Sequence, residues 1–389
     1  AYVIGRLAKG QRITAWHVEM RPVALIVSLG VLFMPIAAAP GDSYDELADT
    51  FLKVAIIFVL MVNLIDSLPR LRTMMRIVVV CGTGIAIGAV VTYWQGKFTA
   101  EVAGVGVRIE GVVEGIFGNP NDLATALNLL MPLAVALAIL SRGWQRTLFA
   151  VCSALLLAGV VVTFSRSGFL GLTAMVGFAL FKWMPRRPGT AIVAGVALAG
   201  LLAVGAPGGY GDRLSSIADP GSYTTGSATE RIELLKRSVF VASHHLVVGV
   251  GIGNYHIYSI REMRAHNAYL EIAAELGVAG LLAYLVLIFW PLYHLRRVER
   301  QARDGEDAVA RQTTVLAVAL QTAFLGYIVC SFFASIQYLW YLYYLVAYAI
   351  AVRRVHDAAS VPVVEAAGRR ARGVLWPARA QVATGGMLR

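Results

Sequence analysis

Long apolar runs, close to the thickness of a lipid bilayer, constrain this chain more than any other feature. A membrane-spanning helix needs about 17 to 25 mostly apolar residues. Ten segments of the 389-residue chain meet or approach that length, namely residues 22–39, 49–68, 74–94, 121–141, 146–164, 167–183, 189–206, 276–294, 312–333 and 335–352. Only 15% of the residues are charged, whereas soluble proteins carry about 25%. The sequence therefore predicts an all-α polytopic membrane helical bundle of about 10–12 helices, and it excludes soluble enzymes, nucleic-acid binders and disordered chains.

The basic residues give the expected orientation, because Lys and Arg near helix ends are retained on the cytoplasmic side. With the N-terminal segment inside, 24 of the 34 Lys and Arg residues fall on cytoplasmic connectors. The net charge of +11 is thus mostly a signal of topology, and the outer minority contains the basic candidates for ligand binding. A secretory signal that ends near residues 37–39 is the alternative to a true first span.

Connector lengths divide the chain into four predicted regions. Residues 1–206 form an N-terminal transmembrane bundle, residues 207–275 a long outer loop, residues 276–352 the C-terminal transmembrane helices, and residues 353–389 a basic cytoplasmic tail. Structureless connectors of the length of 207–275 are uncommon and usually functional. We therefore expect the active site on the outer face, beneath this loop.

Within the outer loop, residues 228–242 predict an amphipathic helix with Thr229 at its N-cap and Ile232, Leu235 and Val239 on one face. Its basic residues either form a solvated face or bind an anionic headgroup; they are Arg231, Lys236 and Arg237.

Three alternating glycines follow in the same loop, Gly249, Gly251 and Gly253. The strand, helix and lysine of a phosphate-binding loop are absent around them. We therefore interpret this segment as a turn packed on the membrane surface.

Arg166 interrupts two apolar spans within the segment 163–168, TFSRSG. An arginine at the end of a span either extends its charge to the interface or presents paired guanidinium donors to phosphate oxygens. Because the positive-inside rule disfavours an arginine on the outer side, we favour phosphate binding.

His266 lies just before Asn267, which predicts an N-cap for the helix leading into the eighth span. An imidazole at the outer surface can act as a general base near neutral pH, and Arg261 and Arg264 are close in sequence. A metal site is not expected, since no standard zinc spacing joins His266 to the other loop histidines, His244, His245 and His256.

The other outer connector, residues 95–120, offers Arg108 and then Asn119, Pro120 and Asn121. Proline and asparagine at these positions favour helix initiation. Asparagine amides that face a sugar are the functional alternative.

Three segments together resemble the O-antigen ligase and polymerase superfamily of bacterial envelope glycosyltransferases. They are 163–168, TFSRSG; the long outer loop; and 266–271, HNAYLE, followed by 275–280, ELGVAG. The likeness covers about a third of the chain, from the fifth span to the eighth.

The resemblance implies transfer of a glycan from undecaprenyl diphosphate to a sugar hydroxyl of lipid A–core. The reaction would occur at the periplasmic face of the bacterial inner membrane, without a cofactor, a metal or ATP. By the same resemblance, Arg166 and Arg231 would bind the diphosphate and His266 would assist deprotonation of the acceptor. Further substrate-binding residues are expected among Arg108, Asn119, Asn121, Arg237, Arg261, Arg264 and Asn267.

Two questions stay open from the sequence. Membrane glycosyltransferases with polyprenyl donors often use a carboxylate of the first outer loop, where Asp42, Asp45 and Glu46 are available. A polymerase of the same superfamily is the second interpretation of the activity, and a transporter of lipid-linked glycans is the interpretation from a different class.

Overall fold

The computed structural model describes residues 16–96, 100–102, 106–108, 119–183, 189, 195, 227–303, 305 and 307–373. The helices are α1 (Met20–Phe33), α2 (Pro40–Leu64), α3 (Leu68–Trp94), α4 (Pro120–Leu140), α5 (Trp144–Val162), α6 (Arg166–Trp183), α7 (Ser227–His244), α8 (Tyr255–Tyr258), α9 (Ala268–Ala302), α10 (Ala308–Ser331) and α11 (Trp340–Gly373). Short 3-10 turns occupy Met34–Ile36 and Ile260–Glu262. An antiparallel hairpin joins β1 (Ala100–Val102) to β2 (Gly106–Arg108).

The predicted polytopic membrane bundle is confirmed. Six helices, α2, α3, α4, α5, α9 and α10, are long and apolar enough to cross a membrane. Three more predicted spans coincide with α1, α6 and α11. The tenth, residues 189–206, lies almost entirely outside the described residues. The four-region division of the chain stays a prediction.

The core forms where apolar faces of α4 and α10 pack together. Helix α4 packs against α5, α6 and α10, while α10 also contacts α9 and α11. These two central helices each bury 72% of their most apolar window, whereas α3 and α5 bury 33%. Among the described residues, α3 and α5 keep most of that apolar surface exposed, so we expect these faces to contact lipid.

Helix α2 begins earlier than the sequence predicts. Residues 41–46, expected as an outer connector, are helical, and a π-helical turn spans Glu46–Phe51. Pro40 stands at the first helical position, where its missing N–H costs nothing. The early start brings Ser43 and Glu46 to the end of the bundle where the outer loop lies.

The glycine segment of the outer loop contains the predicted turn and is buried against α9, while its position at the membrane surface stays a prediction. Helix α9 is interrupted at Gly277, whose φ is 68°. Near this break, the carbonyls of Ala274 and Glu275 accept hydrogen bonds from the N–H groups of Val250 and Gly251. A Cβ at Gly249 would stand 2.0 Å from the Glu275 carbonyl oxygen, so only glycine fits there.

The described contacts distinguish the two ends of the bundle. At the Arg353 end, Arg353 donates to both carboxylate oxygens of Glu19 at 2.6 and 3.1 Å, and Lys182 contacts Glu299 at 2.6 Å. A cavity beside Trp290 and His294 also lies at this end. At the opposite end, termed the Arg264 end, α2, α4, α6, α9 and α11 begin, and the residues predicted to carry chemistry are found there.

Candidate functional site

The loop before α9 presents His266 in an unusual backbone conformation. Its φ is +50°, a left-handed value that typically costs a non-glycine residue about 1–3 kcal/mol and persists only where the surroundings enforce it. On one side the loop is fixed by Asn267, whose Oδ1 accepts hydrogen bonds from the N–H groups of Tyr269 and Leu270. The predicted N-cap at Asn267 is therefore confirmed, and it places His266 immediately before the helix.

Glu271 fixes the other side of this loop. The carboxylate is 2% exposed and accepts a hydrogen bond from the backbone N–H of Ala265 at 3.0 Å. Gln337 donates to its other oxygen at 3.0 Å. The Ser335 hydroxyl also donates to Glu271, while Ser335 Oγ accepts the N–H of His266 at 3.0 Å. One buried carboxylate thus holds the His266 loop directly and through Ser335.

Arg264 connects this loop to the beginning of α2. Its guanidinium lies 2.7 Å from Glu46 Oε2 and 3.8 Å from Glu271 Oε1. Burial lowers the pKa of Arg264, but the carboxylates of Glu46, Glu271 and Glu275 outweigh it and hold that pKa above the usual arginine value. Arg264 is therefore a permanent cation among several carboxylates.

Glu275 lies one helical turn beyond Glu271 and binds neutral donors. The Tyr338 hydroxyl donates to it at 2.8 Å, and the backbone N–H of Tyr255 donates at 3.3 Å. Burial and the neighbouring Glu275 carboxylate raise the pKa of Tyr338, so this hydroxyl keeps its proton and stays a donor. The Tyr255 hydroxyl in turn bonds Ser238 of α7 at 2.6 Å, which fixes α7 to the same cluster.

The amide of Asn254 joins the outer loop to the start of α2. Its Oδ1 accepts the N–H of Ala39 at 2.7 Å, and its Nδ2 donates to the Ala39 carbonyl at 3.1 Å and to Ser43 Oγ at 2.8 Å. Because Asn254 is completely buried, these bonds replace those that water would otherwise make. The first outer connector and the long outer loop therefore form one packed unit.

Arg166 is the first residue of α6 and is half-buried. The hairpin before it is fixed by Asn121, whose Oδ1 accepts the hydroxyls of Ser165 and Ser167 at 2.7 and 3.3 Å. Ser165 also caps α6 by accepting the Gly168 N–H at 3.1 Å. The hairpin that carries Arg166 is thus held by hydrogen bonds to the start of α4.

Asp122, at the start of α4, links the Arg166 hairpin to the Arg264 cluster. It directly follows Asn121, and its carboxylate lies within electrostatic reach of Arg264. Its backbone carbonyl accepts the Tyr341 hydroxyl of α11 at 3.2 Å. The structure therefore brings Arg166, Arg264 and His266 to one end of the bundle.

The predicted asparagine pair has internal roles. Asn119 caps α4, with its Oδ1 accepting the Asn121 N–H at 2.9 Å, and Asn121 is 6% exposed. These contacts match the helix-initiation interpretation. Asn121 also holds the hairpin through Ser165 and Ser167, and the sugar-facing role of the two amides stays a prediction.

The remaining predicted arginines have different positions. Arg237 of α7 donates to the Tyr258 carbonyl at 2.5 Å and lies over the Phe240 ring. Arg261 is exposed, with φ of +53°. The backbone of Arg231 lies in the first half of α7, and that of Arg108 lies in β2. The side chains of Arg231 and Arg108 lie outside the described part of the structure.

The amphipathic helix predicted at residues 228–242 is present as α7, but the exposed face is the one that carries Ile232, Leu235 and Val239. Leu234 and Ser238 are buried instead, because α7 packs its other face against α9. A periodic pattern locates an apolar stripe without saying whether protein or lipid covers it.

The other loop histidines contact separate partners. His244 Nδ1 lies 2.8 Å from the Phe240 carbonyl oxygen, and His256 Nε2 lies 3.4 Å from Asp42 Oδ2. His245 packs against the Tyr258 ring. Among the described residues, no three His, Cys, Asp or Glu side chains form a group that could hold a metal ion.

Sequence reasoning missed the polar residues that hold the loop from outside it. Glu271 and Glu275 lie in the segments that carry the family resemblance. Because glutamate is rarely buried without a partner, two of them on a mostly apolar predicted helix were a signal that could have indicated a polar cluster. Ser335, Gln337 and Tyr338 lie in a connector that the predicted spans 312–333 and 335–352 left almost no room for. Their role becomes visible only once the fold brings them together.

Comparison with known families identifies a related family for part of the chain. Residues 151–285 match the family model described as O-antigen ligase. The match confirms the resemblance to the O-antigen ligase and polymerase superfamily, and it contains Arg166, Arg231 and His266. It covers about a third of the 389-residue chain. No curated protein sequence matches the chain.

Proposed function

With residues 151–285 matching the O-antigen ligase family, we propose that this membrane protein is an O-antigen ligase. It transfers a glycan from undecaprenyl diphosphate to a sugar hydroxyl of lipid A–core, at the periplasmic face of the bacterial inner membrane. The observation that supports this most is the His266 loop, which lies in the matched region and is fixed in a left-handed conformation at the same end of the bundle as Arg166.

The proposed reaction is a direct displacement. The acceptor hydroxyl gives its proton to the His266 imidazole while its oxygen forms a bond to the anomeric carbon of the donor. The bond from that carbon to the diphosphate oxygen breaks, and undecaprenyl diphosphate leaves. Arg166 and Arg231 neutralise the charge that develops on the leaving group. Attack opposite the diphosphate inverts the anomeric centre.

The diphosphate makes an additional energy source unnecessary, since it is already an activated leaving group. Guanidinium groups bind phosphate oxygens in pairs, so arginines can do the work that a divalent cation does elsewhere. The sequence contains no Asp-X-Asp motif of the kind that holds such a cation. We therefore propose a reaction without metal or ATP.

The carboxylates of the first outer connector are the alternative to His266 as the base. Glu46, 13% exposed at its side chain, is paired with Arg264. Asp42 faces His256, and Asp45 is exposed on α2. The proposal of His266 as the base rests on the family resemblance, and the comparison of His266→Ala with Asp45→Ala tests it.

The test uses the purified full-length protein in lipid nanodiscs with undecaprenyl diphosphate-linked glycan and lipid A–core. We expect glycosylated lipid A–core from the unchanged protein, and a rate at least about 100-fold lower for His266→Ala and for Arg166→Ala. Asp45→Ala is the matched control and should keep the full rate. Undiminished product formation by His266→Ala would overturn the assignment of the base.

The same assay separates the other two functions. A polymerase would lengthen the glycan on its lipid carrier in the absence of lipid A–core. A transporter would form no new glycosidic bond and would instead move the lipid-linked glycan across a vesicle membrane. Either result would overturn the ligase proposal.

A further inference from the structure

Ser335 contacts the His266 loop from a distant part of the chain. It belongs to the connector between α10 and α11, and its Oγ accepts the backbone N–H of His266 across 69 residues of sequence at 3.0 Å. Ser335 lies beyond residue 285, where the family match ends. The matched region therefore does not contain every contact that fixes its histidine.

Glu271 supports both partners of this contact. It accepts the Ser335 hydroxyl and the N–H of Ala265, the residue immediately before His266. Gln337, from the same connector as Ser335, donates to the second oxygen of Glu271. The hydroxyl proton of Ser335 is committed to the carboxylate, so its lone pair is left to accept from His266.

The backbone conformation of His266 explains why the hydrogen bond to Ser335 matters. A positive φ at a non-glycine residue is unfavourable by itself, and His266 has φ of +50°. Without the acceptor at Ser335, the loop loses a hydrogen bond that joins this residue to a distant connector. The imidazole would then sample other directions, since its Cα–Cβ vector turns with the backbone.

We propose that Ser335 and Glu271 are positioning residues that fix the His266 backbone so that the imidazole points toward the acceptor hydroxyl. The inference rests on the proposed function, in which His266 is the base. Neither residue needs to touch a substrate. Their effect reaches the reaction only through the direction of the imidazole.

The first experiment compares Ser335→Ala with Ser331→Ala in the nanodisc assay. Ser331 is a buried serine at the end of α10, and its hydroxyl donates to the Tyr269 hydroxyl at 2.9 Å. We expect kcat of Ser335→Ala to fall about 10- to 100-fold, because a misplacement of about 1 Å can cost that much. The KM for the lipid-linked donor should stay unchanged. Ser331→Ala should keep kcat, and Ser335→Thr, which retains the hydroxyl, should restore most of it.

A double-mutant comparison separates positioning from a general structural role. If Ser335 acts through His266, adding Ser335→Ala to His266→Ala should lower the residual rate no further. Glu271→Gln, which removes the charge that holds the Ser335 proton, should behave in the same way. Effects that multiply in the double variants, or a full rate for Ser335→Ala, would overturn the inference.

A second readout does not depend on turnover. The rate at which diethyl pyrocarbonate modifies His266, followed by mass spectrometry of the peptide, reports the environment of the imidazole. The rate of modification should change in Ser335→Ala and stay the same in Ser331→Ala. Equal rates in both variants and in the unchanged protein would contradict the positioning role.

Absence of glycan transfer by the unchanged protein would overturn the proposed function. Transfer that requires His266 but not Ser335 would overturn only this inference.

Discussion

The two ends of the bundle both bury carboxylates, but they neutralise them differently. At the Arg353 end the pairing is one to one: Arg353 and Glu19 have side chains only 15% and 1% exposed and share two hydrogen bonds. At the Arg264 end, one half-exposed guanidinium, 49% exposed, faces both Glu46 and Glu271. Glu271 is satisfied by loop N–H and hydroxyl donors instead.

This difference indicates that the two ends serve different purposes. A closed ion pair of matched charges fixes helices together, and removing one partner leaves an uncompensated buried charge. Carboxylates held by hydrogen bonds from loops fix the loops, and such arrangements are common at functional sites. We therefore expect changes at the Arg353 end to affect stability and changes at the Arg264 end to affect activity.

The largest expected effect on stability is that of Arg353→Ala. It leaves Glu19 buried without its cation, and we expect the free energy of unfolding to fall by about 3–5 kcal/mol. Denaturant unfolding in detergent micelles measures the change. Glycan transfer per folded molecule should stay unchanged, and a loss of transfer without a loss of stability would contradict the division between the ends.

Gly249→Ala should be the next most damaging change. The added Cβ would stand 2.0 Å from the backbone carbonyl oxygen of Glu275, and backbone atoms cannot move as easily as a side-chain tip. Overpacking of this kind typically costs about 1–3 kcal/mol, and the displaced α9 should also reduce transfer. Gly41→Ala is the control, since its added Cβ would meet no atom within 4 Å in the described residues beyond its own helix turn. Equal melting temperatures for the two variants would count against the contact with α9.

Arg264→Gln should separate stability from activity. Glu271 keeps its donors from Ala265 and Gln337 in this variant, so we expect a loss of only about 1–2 kcal/mol in the free energy of unfolding. The rate of transfer should fall by about tenfold or more, because the His266 loop loses its connection to α2. Unfolding curves and initial rates from the same preparation give both quantities. A stability loss equal to that of Arg353→Ala, with normal transfer, would contradict this contrast between the ends.

The smallest effect is expected for Arg70→Ala. This arginine pairs with Asp66 at 2.6 Å, with side chains 62% and 39% exposed. Exposed pairs contribute about 0–1 kcal/mol, so unfolding and transfer should both stay close to those of the unchanged protein. A loss comparable to that of Arg353→Ala would show that burial does not determine how much an ion pair contributes to the free energy of unfolding in this protein.

The parts of the fold that local pattern determines were predicted from the sequence. Apolar runs of bilayer length identified nine described helices, and a cap at Asn267 was expected from the polar residue before an apolar segment. Both signals depend on neighbours within a few residues. The order of the spans also correctly brought Arg166 and His266 to the same end.

The contacts that complete the candidate site depend on residues far apart in the chain. Arg264 and Glu46 are separated by 218 residues, and Glu271 and Ser335 by 64, so no local pattern joins them. The glycine segment shows the same limit. Its burial results from the break of α9 at Gly277 and the hydrogen bonds from Val250 and Gly251 to carbonyls just before that break, which only the packed structure reveals.

The connector between α10 and α11 has a consequence for how the protein is made. Chains are synthesised from the N-terminus and fold progressively, so the His266 loop emerges 69 residues before Ser335. A nascent chain that has inserted α9 but not yet α10 contains the histidine without Ser335, Gln337 or Tyr338 to hold its loop. The loop therefore acquires these contacts only after α10 and α11 have entered the membrane and the connector between them has docked.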